Sequence, residues 1–175
     1  MSKEIATFGG GCFWCTEAIF KSIKGVKKVV SGYSGGKEKD PSYELISTGS
    51  TKHAEAIQIT FDPKLISYAD LLYIFLKTHN PTTLNRQGAD VGTQYRSVIF
   101  YHDEQKKVAE KAINKAQNEY NEKIVTEIVP FENFYEAENY HQDYYKKNPD
   151  KMYCKLVIDP KIQKLKKDFK KYLKS

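Results

Sequence analysis

Residues 5–15 read Ile-Ala-Thr-Phe-Gly-Gly-Gly-Cys-Phe-Trp-Cys, and this stretch decides more about the fold than any other. The apolar run over 5–8 predicts a strand, the three glycines a sharp turn, and the residues after Cys12 a helix over 13–22. A cysteine at a helix N-terminus faces unpaired backbone N–H groups and the positive end of the helix dipole. Such positions lower a thiol pKa from about 8.5 to roughly 3.5–7.5. We therefore expect Cys12 to be a reactive thiol rather than a buried, inert one.

Strand and helix signals alternate along the rest of the chain. The predicted strands cover 26–32, 55–61, 95–101 and 125–129. A short turn or helix is predicted over 43–47. The predicted longer helices cover 68–77 after an N-cap at Ser67, 104 to about 121 after a cap at Asp103, and an amphipathic segment that begins at Ile158-Asp159-Pro160. Helices mixed with direct strand-to-strand passages predict an α/β or α+β fold, a two-layer sandwich in which helices flank a mixed sheet.

Size and composition describe one folded domain with an extension. The chain has 175 residues, of which 40% are apolar and 29% charged. No apolar run approaches the roughly 18 residues of a membrane span, and the first residues lack a secretory pattern. We therefore expect a cytoplasmic protein without a membrane partner. Three cysteines are too few for a secreted disulfide scaffold of this size, which favours catalysis, redox cycling or metal binding.

The formal net charge of +6 is concentrated at the C-terminal end. Residues 151–175 hold nine lysines against two acidic residues, whereas 1–150 are nearly balanced. Only two cations in the chain are arginines, the side chain that nucleic-acid sites favour, so we expect no nucleic-acid partner. One apolar stripe of the last predicted helix consists of Ile162, Leu165, Phe169 and Tyr172. We expect this helix to dock on the body; a basic surface helix for an acidic partner is the alternative.

Cys12 and Cys15 form a CxxC motif, which several kinds of protein use. A zinc site needs about four ligands, and only Cys154 and four scattered histidines remain to supply them. A thioredoxin-like dithiol also places CxxC at a helix start. However, the two bulky aromatic residues between these sulfurs favour the wall of a binding pocket.

Two other polar clusters are candidates for function. Glu55 opens a predicted strand among Ala and Ile, where loss of solvent would raise its pKa towards the range of a general acid. A glutamate at a strand end in a surface salt bridge is the alternative, and the sequence leaves both open. Residues 86–97 form a loop dense in glycine and hydrogen-bonding side chains, as in many functional loops. A well-capped turn is the alternative there.

Six motifs in one order carry a resemblance to a known family. They are Gly-Gly-Gly-Cys-Phe-Trp-Cys (9–15), Gly-Tyr-Ser-Gly-Gly (32–36), Asp-Pro-Ser-Tyr (40–43), His-Ala-Glu-Ala (53–56), Arg-Gln-Gly-Ala-Asp-Val-Gly-Thr-Gln-Tyr-Arg-Ser (86–97) and Phe-Tyr-Glu-Ala-Glu-Asn-Tyr-His-Gln (134–142). Over residues 5–148 the chain resembles the A-type peptide methionine sulfoxide reductases. The resemblance implies a ferredoxin-like α/β core and reduction of the S epimer of methionine sulfoxide, free or in oxidised proteins under repair. It also implies no metal or organic cofactor, and thioredoxin as the reductant.

The resemblance assigns a role to each matching residue. Cys12 matches the nucleophile, Phe13 and Trp14 the aromatics that hold the methyl group, Glu55 the acid that protonates the sulfoxide oxygen, Tyr43 and Tyr95 the hydrogen-bond donors to that oxygen, and Asp90 a residue that orders the site. Residue chemistry supports these roles independently. A sulfoxide sulfur becomes electrophilic once its oxygen is protonated or hydrogen-bonded, so the reaction needs a thiolate, an acid, oxygen-directed donors and an apolar slot.

The second thiol of the reaction has two candidates. Attack would leave Cys12 as a sulfenic acid that condenses with another thiol to a disulfide. Position 15 is often Gly in the family and is Cys here, while Cys154 lies just beyond the matched core. We favour Cys154, because Phe13 and Trp14 must stay packed and a cysteine in the tail could swing in. Cys15 is either the alternative partner or a half-buried cysteine without a role in the reaction.

Two other classes of protein stay open at this stage. One is a plain dithiol–disulfide exchange protein in which Cys12 and Cys15 are the redox pair and Glu55 is structural. The other is a zinc-stabilised interaction module that uses both cysteines and a histidine, with the basic tail as a docking arm. The reductase is the prediction that we carry forward. It comprises a catalytic domain over 1–150 and a basic extension over 151–175, and we expect it to be a monomer.

Overall fold

The structure is a computed structural model that describes residues 3–174. Its strands are β1 (Glu4–Gly10), β2 (Val26–Ser34), β3 (Ala54–Phe61), β4 (Arg86–Gln87), β5 (Asp90–Val91), β6 (Ser97–Tyr101), β7 (Glu127–Pro130) and β8 (Tyr135–Glu136). Its α-helices are α1 (Phe13–Lys21), α2 (Tyr43–Ser47), α3 (Tyr68–Thr78), α4 (Gln105–Gln117), α5 (Tyr144–Lys147) and α6 (Asp159–Asp168). Helices therefore alternate with strands as the sequence predicts.

The main sheet is mixed and has the order β7-β6-β1-β3-β2-β8. Its four central strands pair antiparallel, and only β6 and β7 run parallel. The connection β1-α1-β2-β3-α3-β6, with β3 inserted between β1 and β2, is the split βαβ arrangement of the ferredoxin-like fold. A separate ribbon of two short strands, β4 and β5, lies in the loop before β6. The predicted mixed α/β sandwich is thereby confirmed.

Alternation along β3 decides which side chains face the helices. Ile57, Ile59 and Phe61 belong to the main core, whereas Ala54 and Ala56 belong to a small cluster on the other side of the sheet. Successive side chains of a strand point to opposite faces. Glu55 therefore faces the same side as Ile57, which is the side covered by α1.

Packing at the end of β1 requires glycine. A Cβ on Gly10 would lie 2.7 Å from the Phe75 ring, and Gly11 adopts a φ of +90°, which glycine tolerates and other residues rarely do. The chain can therefore turn directly from the central strand into α1. This turn places Cys12 at the N-cap of α1, as the sequence predicts.

The C-terminal segment is helical and docks on the body. Its helix starts at residue 152, passes through a π-helical stretch over Cys154–Ile158 and continues as α6. Ile162, Leu165 and Phe169 are buried in the main core, which confirms the predicted apolar stripe. The division of the chain at residue 150 remains a prediction. No helix within residues 3–174 is both long enough and apolar enough to span a bilayer.

Several local predictions were wrong. The helix expected to reach about 121 ends at Gln117, and the strand expected from 125 begins at Glu127. Asp103 does not cap α4: it has a φ of +46°, Glu104 occupies the N-cap, and no side chain caps this helix. The Gln105 carboxamide instead accepts a hydrogen bond from the His102 backbone at 2.9 Å. The strand expected over 95–101 begins only at Ser97, because residues up to Tyr95 form a 3-10 turn. The N-cap predicted at Ser67 is present, with its hydroxyl accepting from the Asp70 backbone N–H.

Candidate active site

The site is built around the N-terminus of α1. Cys12 is the N-cap residue and retains 9% of its surface exposed. The Glu55 carboxylate reaches the same helix end from β3, where its Oε1 accepts a hydrogen bond of 3.1 Å from the Phe13 backbone N–H. Two groups that can carry a negative charge therefore share one helix N-terminus, a location that favours negative charge.

Glu55 is buried and makes no ion pair within residues 3–174, so the alternative of a surface salt bridge does not apply. Burial raises its pKa from 4.5 to about 8, and negative charge at Asp90 and Cys15 adds to the rise. The hydrogen bond from Phe13 opposes it. At neutral pH the Glu55 carboxyl group is therefore mainly protonated and can donate a proton.

Tyr43 on α2 and Tyr95 in the 3-10 turn border Glu55. Burial raises the pKa of Tyr43 to about 12 and raises that of Tyr95 as well, and the charges of Glu55 and Cys12 contribute to both shifts. Both hydroxyls are therefore protonated hydrogen-bond donors at neutral pH. The structure thus brings together the acid, the two tyrosines and Cys12.

An aromatic wall lies beside the thiol. The Trp14 indole stacks on the Tyr144 ring at 3.7 Å between centroids, with an angle of 6° between the planes. Its Nε1–H donates to His141 Nδ1 at 3.0 Å. Phe13 is fully buried against Tyr33 and His141, whereas Trp14 keeps some surface exposed. Trp14 is therefore the member of the pair that can contact a ligand, and Phe13 supports it.

The thiols differ from the sequence prediction in their protonation. Burial raises the pKa of Cys12 well above its usual value, and a hydrogen bond to Cys15 and the charge of Glu55 raise it further. That hydrogen bond lowers the pKa of Cys15 to about 7, assisted by Lys161 and the Tyr153 hydroxyl. The expectation of a lowered Cys12 pKa was thus wrong for the ligand-free site, because loss of solvent outweighs the helix N-terminus. Cys15 is the thiol that ionises first.

Cys154 is the third cysteine of the chain and lies in the C-terminal helical segment. It is fully buried in the π-helical stretch, and its pKa is raised first by burial and then by the charge of Cys15. All three cysteines are free thiols. No cluster of three or more metal-ligating side chains is found within residues 3–174.

Three residues of the site received no role from the sequence. Tyr153 donates a hydrogen bond of 2.8 Å to Asp90 Oδ2, and its hydroxyl lies 3.6 Å from the Cys15 sulfur. His141 accepts the bond from Trp14. Glu138 accepts from the Tyr33 hydroxyl at 2.8 Å and from the Tyr43 backbone at 2.9 Å, so it holds the start of α2. Glu138 and His141 lie in the motif over 134–142, and membership of that motif was the signal in the sequence that could have identified them.

A thiol beside a neutral carboxylic acid, with tyrosine hydroxyls and an aromatic wall around them, can attack an electrophile while its oxygen is protonated. On a ferredoxin-like sheet, this arrangement places the protein among cysteine-dependent α/β enzymes.

Comparison with known proteins defines the family. The family model described as peptide methionine sulfoxide reductase matches residues 4–173. A peptide methionine sulfoxide reductase MsrA from Sulfolobus acidocaldarius is 60% identical over 167 residues, which are 95% of each chain. The crystal structure of reduced Mxr1 from Saccharomyces cerevisiae superposes with a TM-score of 0.81 at 38% identity, covering 87% of this chain and 89% of that one. Mxr1 in complex with Trx2 gives a TM-score of 0.57 at 28% identity, covering 81% and 84%.

The chain therefore belongs to the peptide methionine sulfoxide reductase family, A type. It is an enzyme, and its activity is the reduction of methionine sulfoxide.

Proposed function

We propose that this enzyme reduces the S epimer of methionine sulfoxide, free and in proteins, through a sulfenic acid on Cys12 and an intramolecular disulfide. The observation that carries the proposal is the buried Glu55, whose pKa of about 8 leaves it protonated next to Cys12. A neutral acid beside a thiol is what the activation of a sulfoxide oxygen requires. The S epimer is the expectation from the family resemblance, and repair of oxidised proteins is the role that follows.

Three groups of residues would contact three different parts of the substrate. Trp14, supported by Phe13, offers an apolar surface to the methyl group. Glu55, Tyr43 and Tyr95 offer hydrogen bonds to the sulfoxide oxygen, and Cys12 faces the sulfur. A pyramidal sulfur whose methyl group and oxygen have different partners fits in only one of its two configurations. This asymmetry supports selectivity for a single epimer.

The first step moves an oxygen atom from the substrate to Cys12. Cys15 ionises first, and its thiolate takes up the Cys12 proton, which leaves the Cys12 sulfur as the nucleophile. The Cys12 sulfur attacks the sulfoxide sulfur while Glu55 gives its proton to the oxygen. As the S–O bond of the substrate breaks, the hydroxyl is transferred to Cys12. The products are methionine, a Cys12 sulfenic acid, a Cys15 thiol and an ionised Glu55.

The second step forms a disulfide and releases water. The sequence favours Cys154 as the attacking thiol, and no contact of Cys154 excludes it. Cys12 at the N-cap and Cys15 in the first turn of α1 lie three positions apart, and the pKa of each responds to the other, so we propose that Cys15 forms the first disulfide. Glu55 takes up the proton of the attacking thiol and returns it to the departing hydroxyl. We propose that Cys154, whose pKa is raised first by burial and then by the charge of Cys15, takes part in a subsequent exchange.

Peptide mapping tests this order. One equivalent of substrate without reductant should give a Cys12–Cys15 bridge in the wild type and a bridge to Cys154 in Cys15→Ser. A Cys12–Cys154 bridge as the first product of the wild type would restore the prediction made from the sequence.

Thioredoxin is the proposed reductant. A disulfide on Cys12 must be reduced externally before another cycle, and the Mxr1 structure in complex with Trx2 supports a thioredoxin in this role. The proposed enzyme is a cytoplasmic monomer.

The decisive experiment is single turnover of each sulfoxide epimer separately. We expect one equivalent of methionine from the S epimer and none from the R epimer in the wild type, and none from either epimer in Cys12→Ser. Equal reduction of both epimers would contradict the stereochemical part of the proposal. Methionine formation by Cys12→Ser would contradict the role of Cys12.

A further inference from the structure

Three strongly exposed apolar side chains border the active site. Val91 is 68% exposed, Met152 70% and Leu156 67%. Val91 directly follows Asp90, and Met152 directly precedes Tyr153. Leu156 lies four positions after Met152 on the same helix, so the two share one face of it. We call these three residues the apolar rim.

The two halves of the apolar rim are tied together at the site. The side chain of Gln87 packs against Gly11, where a Cβ would lie 2.6 Å from Gln87 Cγ, so the β4-β5 ribbon lies over the turn that carries Cys12. Within β5, adjacent side chains point to opposite faces. Asp90 turns inward and accepts from the Tyr153 hydroxyl, while Val91 turns outward. That hydrogen bond joins the ribbon to the helix that carries Met152 and Leu156.

A peptide whose oxidised methionine reacts at Cys12 extends beyond the pocket on both sides of that residue. An extended chain advances about 3.4 Å per residue, so the residues within three or four positions of the oxidised methionine lie within roughly 14 Å of its Cα. Methionine is mainly a core residue, and a segment that exposes an oxidised methionine therefore carries apolar neighbours. A surface beside the pocket that binds such neighbours would bury their apolar area along with its own.

We propose that the apolar rim binds the apolar side chains that flank an oxidised methionine in a peptide, and so makes peptides with apolar neighbours the favoured substrates. This inference rests on the proposed function, because it requires the sulfoxide to react at Cys12. The rim acts on the neighbours of the reacting residue and not on the sulfoxide itself.

Matched peptides test the apolar rim. Two five-residue peptides carry a central methionine S-sulfoxide with blocked ends, one flanked by leucine and the other by glycine. Dithiothreitol serves as the reductant, so that no protein partner is needed. We expect the wild type to prefer the leucine peptide by about ten-fold in kcat/KM. In Leu156→Ser and Met152→Ser this preference should fall by about three-fold to five-fold.

Leu65→Ser is the matched control. Leu65 is 59% exposed and contacts Gly25, which directly precedes β2. Glu55 pairs with Tyr33 near the other end of β2, so Leu65 lies away from the active site. The preference of the Leu65→Ser variant for the leucine peptide should equal that of the wild type. Substitutions at exposed positions of this kind change folding stability little, so all three variants should fold.

The other outcomes overturn the inference. A wild type without preference, or a preference that survives both rim substitutions, would remove the rim from substrate binding. A defect that appears only with thioredoxin would assign the same surface to the reductant instead. Failure of the wild type to reduce free methionine sulfoxide would contradict the proposed function itself, which separates the two results.

Discussion

Replacing Glu55 with glutamine tests the proton donor directly. Gln keeps the size of the side chain and an oxygen that can accept from the Phe13 N–H, but it supplies no acidic proton. General acid catalysis contributes about 10²–10⁴-fold. We expect the rate of sulfoxide reduction in Glu55→Gln to fall by at least about 100-fold. Alkylation of Cys12 should not slow, because the charge of Glu55 raises the pKa of that thiol.

The pH dependence follows from the protonated form of Glu55. With a pKa of about 8, the wild-type carboxyl donates a proton at neutral pH and loses this ability as the pH rises through 8. The rate of sulfoxide reduction in the wild type should therefore decline above pH 8. The residual rate of Glu55→Gln should lack this decline.

The pH dependence of the free energy of unfolding provides a second, independent test of the same substitution. The folded state raises the pKa of Glu55 from 4.5 to about 8, so folding favours the protonated form. The unfolded chain binds fewer protons between these values, and the free energy of unfolding of the wild type must fall as the pH rises through this range. At about 1.4 kcal/mol per pKa unit, the loss between pH 5 and pH 9 is about 4 kcal/mol. Glu55→Gln should not show this loss.

Urea unfolding of both proteins at pH 5 and pH 9 measures the difference, and comparing the two proteins cancels groups that titrate in both. Single-turnover kinetics over the same range supplies the rate. If the two proteins lose the same stability, or if Glu55→Gln retains the wild-type rate with the same decline above pH 8, Glu55 is not a buried neutral acid and the proposed mechanism fails.

Three further predictions concern other parts of the molecule. Cys12→Ser should abolish single-turnover reduction of methionine sulfoxide, and any methionine detected by mass spectrometry would count against it. Tyr153→Phe removes the hydrogen bonds to Asp90 and Cys15, so the pKa of Cys15 should rise, which alkylation of Cys15 against pH in a Cys12→Ser background measures. Leu165→Ala should lower the free energy of unfolding by about 2–5 kcal/mol in urea, because Leu165 is 1% exposed in the core; a change below 1 kcal/mol would contradict its packing role.

Local structure was predictable where neighbouring residues carry the signal. The turn from β1 to α1 follows from three glycines after an apolar run, and the start of α3 follows from the Ser67 hydroxyl before a periodic apolar segment. The buried stripe of Ile162, Leu165 and Phe169 follows from helical spacing. Asp103 shows the limit of this reasoning, because a good capping residue type does not ensure a capping geometry.

The motifs also contained more of the site than the sequence could assign. Glu138 lies in a quoted motif and Tyr153 directly precedes the candidate thiol Cys154, yet their partners are distant in the chain. Tyr153 bonds to a residue 63 positions away, and Glu138 to one 95 positions away. Sequence spacing carries no information about such pairs until the sheet order is known.

The sequence by itself determined the order of the longer strands and helices, the family and the set of chemical groups, because each depends on residue types and short spacings. Only the tertiary structure decided the protonation states and the partners of the thiols. Burial between α1 and β3 places Glu55 and Cys12 at one helix end, although they are far apart in the chain, and loss of solvent there raises the pKa of both. A pKa depends on the water and charges around a group, which residues brought together by folding supply.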